Sequence, residues 1–169
     1  ADSELDRITT GTLIIGDANS GNITVIQPIS RPTSTNVQLV SGGDVIISGG
    51  GFNTGGGTLL LDPGSSSSAI KPTFNGTDVT ASTLTVGGDL NIAINGTPVG
   101  DGTGSTYSQL KVVGGVNLSG SNLVLSGTPS LVGGETFVIV DNDGTEAISG
   151  TFTNFAQGAT LSNFLNSGL

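Results

Sequence analysis

The 169-residue chain contains no cysteine, methionine, tryptophan or histidine. Without cysteine no disulfide can staple the fold, so backbone hydrogen bonds and apolar packing must hold it. Without cysteine and histidine the Ser-His and Cys-His nucleophile arrangements are excluded. Cations are scarce too: Arg7, Arg31, Lys71 and Lys111 stand against 13 acids, for a net charge of -9. Such a surface repels phosphate backbones and anionic lipid, so nucleic acid is not an expected partner. No apolar run approaches the roughly 20 residues that cross a bilayer, and no membrane insertion is expected. The opening "ADSELDRITTG" has neither the basic head nor the apolar stretch of a signal peptide, and reads as a processed end or a cut from a longer chain. A chain without oxidisable side chains fits an extracellular bacterial protein.

Glycine, by contrast, is abundant, at 29 residues, while charged residues make up only 10%. Collagen would need glycine at every third position, and that spacing is absent. Disorder is disfavoured by a steady apolar content of 34% and a mean hydropathy of +0.20. A turn-rich β protein is left. Its strands show in an alternation of period two: Leu13/Ile15, Ile23/Val25, Val37/Leu39, Val45/Ile47, Leu59/Leu61, Leu84/Val86 and Leu90/Ile92/Ile94. The series continues through Leu110/Val112, Val116/Leu118 and Leu123/Leu125 to Phe137/Ile139. No segment carries a sustained helical stripe. One candidate helical turn lies in the tail, where Leu161, Phe164 and Leu165 fall together.

Two segments, "LVSGGDVIISGG" from Leu39 and "LTVGGDLNIAING" from Leu84, share GGD followed by an apolar-x-apolar pair. Glycine pairs begin at Gly42, Gly87, Gly114 and Gly133, with spacings of 45, 27 and 19, so a unit of 19–27 residues fits. That length matches one turn of a β-solenoid. Glycines would supply positive φ at the corners. Aliphatic side chains would form inner ladders and hydroxyls would coat the outside. About seven turns stacked about 4.8 Å apart would make a rod about 35 Å long. An antiparallel β-sandwich explains the alternation equally well, though hairpin turns recur more often. The expected organisation is a solenoid over residues 1–105, with a protruding loop at 62–78, and a closing β module over 106–169. A second loop is expected at 94–109, and a hairpin at Asp143-Gly144 within the closing module.

The stretches "ELDRITTGTLIIGDANSGNITV", "LVSGGDVIISGGGFNTGGGTLLLDPG" and "YSQLKVVGGVNLSGSNLVLSG…GGETFVIVDNDGTEAISGTFTNF" resemble segments of large bacterial surface proteins of the filamentous-haemagglutinin and autotransporter-passenger type, with its autotransporter-associated β-strand repeats. The likeness runs over nearly the whole chain and is more specific from Tyr107 through Leu110, Val112, Gly114, Leu118, Phe137 and Ile139 to Phe152. It implies a secreted, right-handed parallel β-helix, displayed at the bacterial cell surface as an adhesin or extracellular fibre. The expected partners are other copies of the chain or the remainder of a longer surface protein. This chain stops without the "GGxGNDVVL"-like strand pair that often ends such passengers. The resemblance carries over no catalytic motif.

The candidate metal site is "DNDGTE", where Asp141, Asp143 and Glu146 set three carboxylates within six residues. Hard oxygen ligands on a tight loop suit calcium, although the spacing is not that of an EF-hand. The plain alternative is a solvated turn, since Asp, Asn and Gly are favoured there for backbone reasons. Asp44 and Asp89 occupy equivalent places in the two GGD repeats. They are expected at corners in water, or sharing a cation. Thr-x-Thr pieces at Thr10–Thr12, Thr83–Thr85 and Thr151–Thr153 do not recur once per turn, so they read as solvent-facing strand positions. N-x-S/T triplets at Asn22, Asn75, Asn95 and Asn117 are no more than such a composition yields by chance. No acid pair stands beside an aromatic platform, and no catalysis and no cofactor are expected. The rival to a structural element is an extracellular module that binds host or matrix glycan through the loops at 62–78 and 94–109.

Overall fold

The computed structural model describes residues 2–72, 77–98, 106–142, 145–161 and 164–166. Its first seven strands are β1 (Thr12–Ile15), β2 (Ile23–Val25), β3 (Ile29–Ser30), β4 (Asn36–Ser41), β5 (Val45–Ile47), β6 (Phe52–Asn53) and β7 (Thr58–Pro63). There follow β8 (Ala69–Pro72), β9 (Thr77–Val86), β10 (Asp89–Ala93), β11 (Leu110–Asn117), β12 (Leu123–Ser126), β13 (Val140–Asn142) and β14 (Ile148–Ser149). Among the described residues helix is limited to α1 (Asp2–Leu5) and a 3-10 turn at Phe164–Asn166. Every ladder between strands is parallel. The strands form one nine-stranded and one five-stranded sheet. The antiparallel sandwich is thereby overturned. The antiparallel contact among the described residues is the isolated Ile94–Tyr107 bridge.

The pairing has a period of three strands. Row one stacks Leu13, Val37, Leu59, Leu84, Val116 and Ile148 from β1, β4, β7, β9, β11 and β14. Row two stacks Ile23, Val45, Ile70, Leu90 and Leu123 from β2, β5, β8, β10 and β12. Row three stacks Ile29, Phe52, Val79 and Val112 from β3, β6, β9 and β11, with β13 beyond. Rows one and three belong to the nine-stranded sheet because β9 and β11 are long enough to run through both. The inward side chains of the three rows form one core, in which Val37, Val45, Leu59, Ile70, Val79, Leu84 and Leu90 have no exposed surface. Burying a side chain of this size contributes about 1.5–3 kcal/mol. Six stacked strands, at about 4.8 Å per step, give a ladder about 24 Å long, shorter than the rod expected from sequence.

The repeat is 24, 22, 25, 32 and 32 residues along row one. The expected unit of 19–27 fits the first three steps and misses the last two. Gly42 and Gly87 do lie at the same bend, with Gly64 at that bend in the strand turn between them, so the spacing of 45 was two periods. Gly114 sits within β11, between rows three and one, and its offset from Gly87 compares different bends. The reason for glycine also differs from bend to bend. Gly42 and Gly64 do not adopt positive φ. A Cβ there would stand 2.4 Å from the Ser20 carbonyl oxygen and 2.1 Å from that of Ser41, so close approach of the neighbouring strand turn demands glycine. Gly114 needs both freedoms, with φ +113 and a would-be Cβ 1.8 Å from the Ala81 carbonyl oxygen.

Hydroxyls do not all face water. Thr35, Ser41, Thr54 and Ser121 are buried. They close bends from inside: Ser41 Oγ donates to the Gly21 carbonyl at 2.8 Å, Thr54 Oγ1 to Gly57 at 2.6 Å and Ser121 Oγ to Leu118 at 2.6 Å. A buried carbonyl left unpaired would be costly, and a short hydroxyl reaches it where no strand can.

Three local expectations are corrected. Residues 62–78 are not a protruding loop as a whole: they include strand β8 and the first residues of β9, with 73–76 outside the described residues. Asp143 and Gly144, the turn of the expected hairpin, lie outside the described residues, and the flanking β13 and β14 pair in parallel with β11, on Leu110–Val112 and Val116–Asn117, rather than with each other. The eight residues of β11 are long enough to carry both segments end to end. Phe137 and Ile139 precede β13 rather than forming a strand. Phe137 is held instead by an edge-to-face contact with Tyr107, centroids 5.1 Å apart. The second expected loop, 94–109, is pinned at its ends, where Asn95 N–H donates to Thr106 O at 2.7 Å and Ser108 N–H to Ala93 O at 2.8 Å. Residues 99–105 of it lie outside the described residues.

Candidate functional site

The described chemistry gathers at the two ends of the stack and along one outer bend. That bend precedes row two, and the register puts Asn22, Asp44, Ala69, Asp89 and Asn122 in one column. Each precedes an apolar-x-apolar strand: Asn22 leads "ITV", Asp44 "VII", Asp89 "LNI" and Asn122 "LVL". The polar side chain bridges to the next layer. Asn22 Oδ1 accepts the Asp44 N–H at 2.9 Å, Asp44 Oδ1 accepts the Ala69 N–H at 2.9 Å, and Asn122 Nδ2 donates to Asp89 Oδ1 at 2.8 Å. Asp44 and Asp89 are therefore at equivalent positions, as read from sequence, but Ala69 separates them. Asp44 pairs with Lys71, Nζ to Oδ2 at 2.5 Å. Partial burial alone would push the Asp44 carboxyl up. The Lys71 hydrogen bond, the Ala69 N–H and the Lys71 charge outweigh it and hold the group below the ordinary aspartate range.

At the N-terminal end, α1 and the following residues lie over β3. Arg31, 3% exposed, reaches through to the Leu5 carbonyl with Nη1 and to the Ile8 carbonyl with Nη2 at 2.6 Å. Asp6 stands 3.8 Å from the same guanidinium, and Asp2 Oδ1 accepts the Ser30 N–H at 2.9 Å. Thr10 Oγ1 donates to the Thr12 carbonyl at 2.8 Å on the outer edge of β1. On β2, at the edge of row two, Val25 is buried and Ile23 half-buried. Beside it a groove of about 460 Å³ opens on Ile15, Ile23, Val25, Ile29 and Leu39, with Asp2 and Glu4 at its rim.

At the C-terminal end residues 150–161 cross the stack, leaving a groove of about 430 Å³ against Leu118, Leu123, Ile139 and Ile148. Asn154 closes the edge of β12 with its side chain: Oδ1 accepts the Leu123 N–H at 2.9 Å and Nδ2 donates to the Leu123 carbonyl at 2.8 Å. Thr153 adds its N–H to Ser121 O at 2.8 Å and its hydroxyl to Asn122 Oδ1. The expected tail helix is reduced to the 3-10 turn, in which Leu165 takes φ 46. Phe164 stacks on Phe137 with centroids 6.5 Å apart.

Of the three candidate calcium ligands, Asp141 lies on β13 and is the cross-strand neighbour of Lys111. Glu146 is exposed, and Asp143 lies outside the described residues. The Asn142 amide donates to the Glu146 carbonyl at 2.6 Å. Among the described residues no group of three or more acidic side chains could hold a metal ion. Neither Arg31 nor Asn154 stands out in the sequence as a site residue. The recurrent Asn or Asp before four of the five row-two strands is the signal for the bend column, but nothing local marks Asn154, whose partner lies 31 residues away.

No protein-family model matches the chain, and neither a curated protein nor a solved structure is found to be similar to it. No helix among the described residues is long and apolar enough to cross a membrane.

Proposed function

We propose that the chain is a segment of a right-handed parallel β-helix, and that it serves as a non-catalytic structural shaft in a secreted bacterial surface adhesin or extracellular fibre. The observation that supports this reading is the three-strand period of parallel ladders around a single aliphatic core. In such an arrangement every layer is held by backbone bonds directed along the stack, so length grows by adding layers while the cross-section stays constant. The outer faces mix short polar side chains such as Thr24, Asn53 and Thr80 with exposed aliphatics such as Ile14 and Val113, and carry few charges. The partners on this reading are the rest of a longer surface protein or further copies of the chain.

The test is small-angle scattering and electron microscopy of the chain and of a tandem fusion of two chains. A shaft doubles in length at unchanged width. A compact particle overturns the reading, as does turnover of a uronic-acid polymer in the presence of calcium. Saturable binding of one sugar on a glycan array would replace the shaft with a glycan-binding module.

A further inference from the structure

An asparagine side-chain amide is open to attack by the backbone nitrogen of the next residue, and at Asn22, Asn53, Asn117 and Asn122 the stack keeps that nitrogen occupied. After Asn22 the Ile23 N–H donates to Asp44 O at 2.9 Å, after Asn53 the Thr54 N–H to Thr80 O at 3.0 Å, and after Asn117 the Leu118 N–H to Ser149 O at 2.9 Å. After Asn122 the Leu123 N–H donates to Asn154 Oδ1 at 2.9 Å. Asn95 is different. It is exposed, a glycine follows it, and the Gly96 N–H donates to none of the described residues. We propose that Asn95-Gly96 is a site of self-modification, at which the Gly96 nitrogen closes on the Asn95 side chain and converts its amide to aspartate and isoaspartate. The inference stands apart from the shaft reading, since it concerns one peptide link and not the architecture around it.

The step balances without an oxidant or a reductant. Gly96 N forms a bond to Asn95 Cγ, the Cγ–Nδ2 bond breaks, and the Gly96 amide proton leaves with Nδ2 as ammonia. Water then opens the cyclic imide. Cleavage between Gly96 N and Cγ gives aspartate. Cleavage at the Asn95 main-chain carbonyl carbon gives isoaspartate, in which the chain runs through the former side chain. Three features favour the closure. Glycine puts no side chain in the way of the ring, whereas Ile23, Leu118 and Leu123 each do. The Thr128 N–H donates to Asn95 Oδ1 at 3.3 Å, on the atom where negative charge develops during the attack, and a hydrogen bond to a growing charge strengthens. Asn95 Nδ2 donates to none of the described residues, so no such bond has to break as ammonia leaves. The site lies at the root of the 94–109 loop, where the Asn95 N–H donates to Thr106 O at 2.7 Å and Ile94 bridges Tyr107. Isoaspartate lengthens the chain there by a carbon, and either product adds a negative charge to the net -9.

The test incubates the purified chain in mildly alkaline buffer beside an identical sample in denaturant. Isoelectric focusing reads the added charge. Peptide mass spectrometry with isoaspartyl methyltransferase labelling assigns the position and separates Asn95 from Asn75-Gly76, which lies outside the described residues. The folded sample is expected to convert Asn95 while Asn22, Asn117 and Asn122 remain amides, and to convert it faster as pH rises, because Gly96 N attacks after losing its proton. Gly96→Ala, whose Cβ would stand 3.3 Å from Thr106, is expected to keep the native circular dichroism and to slow conversion by roughly tenfold. A folded protein that retains the Asn95 amide while the denatured sample loses it overturns the proposal. So does a folded Gly96→Ala that converts at the wild-type rate, since hydrolysis would then bypass the imide. The comparison of folded and denatured wild type needs no variant, so it decides the matter even where Gly96→Ala fails to fold.

Discussion

Strands β10 and β12 are written in the same code and packed differently. "DLNI" buries Leu90 and Ile92 completely, whereas "NLVL" leaves Leu123 and Leu125 half-buried. Both alternate aliphatic and other residues, both begin with a side-chain amide or carboxylate, and they are paired to each other residue for residue. The difference is position: β10 has a strand on either side, and β12 has one neighbour and a plug. In a stack of parallel layers the alternation decides which side chains turn inward. The layer beyond decides how fully they are covered.

The comparison can be broken most sharply at Gly114, where β11 bends between rows. Gly114→Ala forces a Cβ against the Ala81 carbonyl at an unfavourable φ, and a loss of about 3 kcal/mol or more is expected in denaturant unfolding. A loss under about 1 kcal/mol would show that the bend relaxes. Next come matched truncations. Leu90→Ala is expected to cost about 3 kcal/mol and Leu123→Ala about half of that, because only the first leaves an enclosed cavity. Equal costs would mean that the tail over β12 packs as well as a strand layer.

Asp44→Ala removes the Lys71 partner and the acceptor of the Ala69 N–H, and about 1 kcal/mol is expected to go with it. The sign of its pH dependence follows from the depressed carboxyl. The stabilisation is present above the unfolded aspartate value of about 3.9 and is lost as pH falls below it through the folded value. Thermal melts of wild type and Asp44→Asn should therefore converge in acid, and a constant offset down to low pH would rule the linkage out. The smallest effect belongs to the outward column of row one, where Thr85→Ala is expected to stay within about 0.5 kcal/mol.

The strands were legible because alternation is a local property. Val37, Leu39, Val45, Ile47, Leu59 and Leu61 were all assigned inward from their immediate neighbours, and all are buried. The GGD repeat marked one true bend. Its glycines were misread in cause, since positive φ is a property of one residue, while the close approach at Gly42 and Gly64 depends on the carbonyl of a strand turn about twenty residues away. The segments flanking Asp143-Gly144 do not pair as hairpin arms for a similar reason: Asp-Gly permits a tight turn, but the length of β11 offers both segments a partner elsewhere. Of the three carboxylates in "DNDGTE", β13 sets Asp141 beside Lys111, while Asp143 lies outside the described residues.

The sequence by itself determined that the chain is β-rich, nearly free of helix, held without disulfides, and which faces of its strands are apolar. These follow from side-chain identity and period two. Only the tertiary structure decided that the strands run parallel in rows of every third element, that Arg31 holds the N-terminal residues over β3, and that the Asn154 side chain occupies the edge of β12. Those facts depend on which distant backbone groups meet, and hydrogen-bond geometry between layers is not encoded in any single stretch.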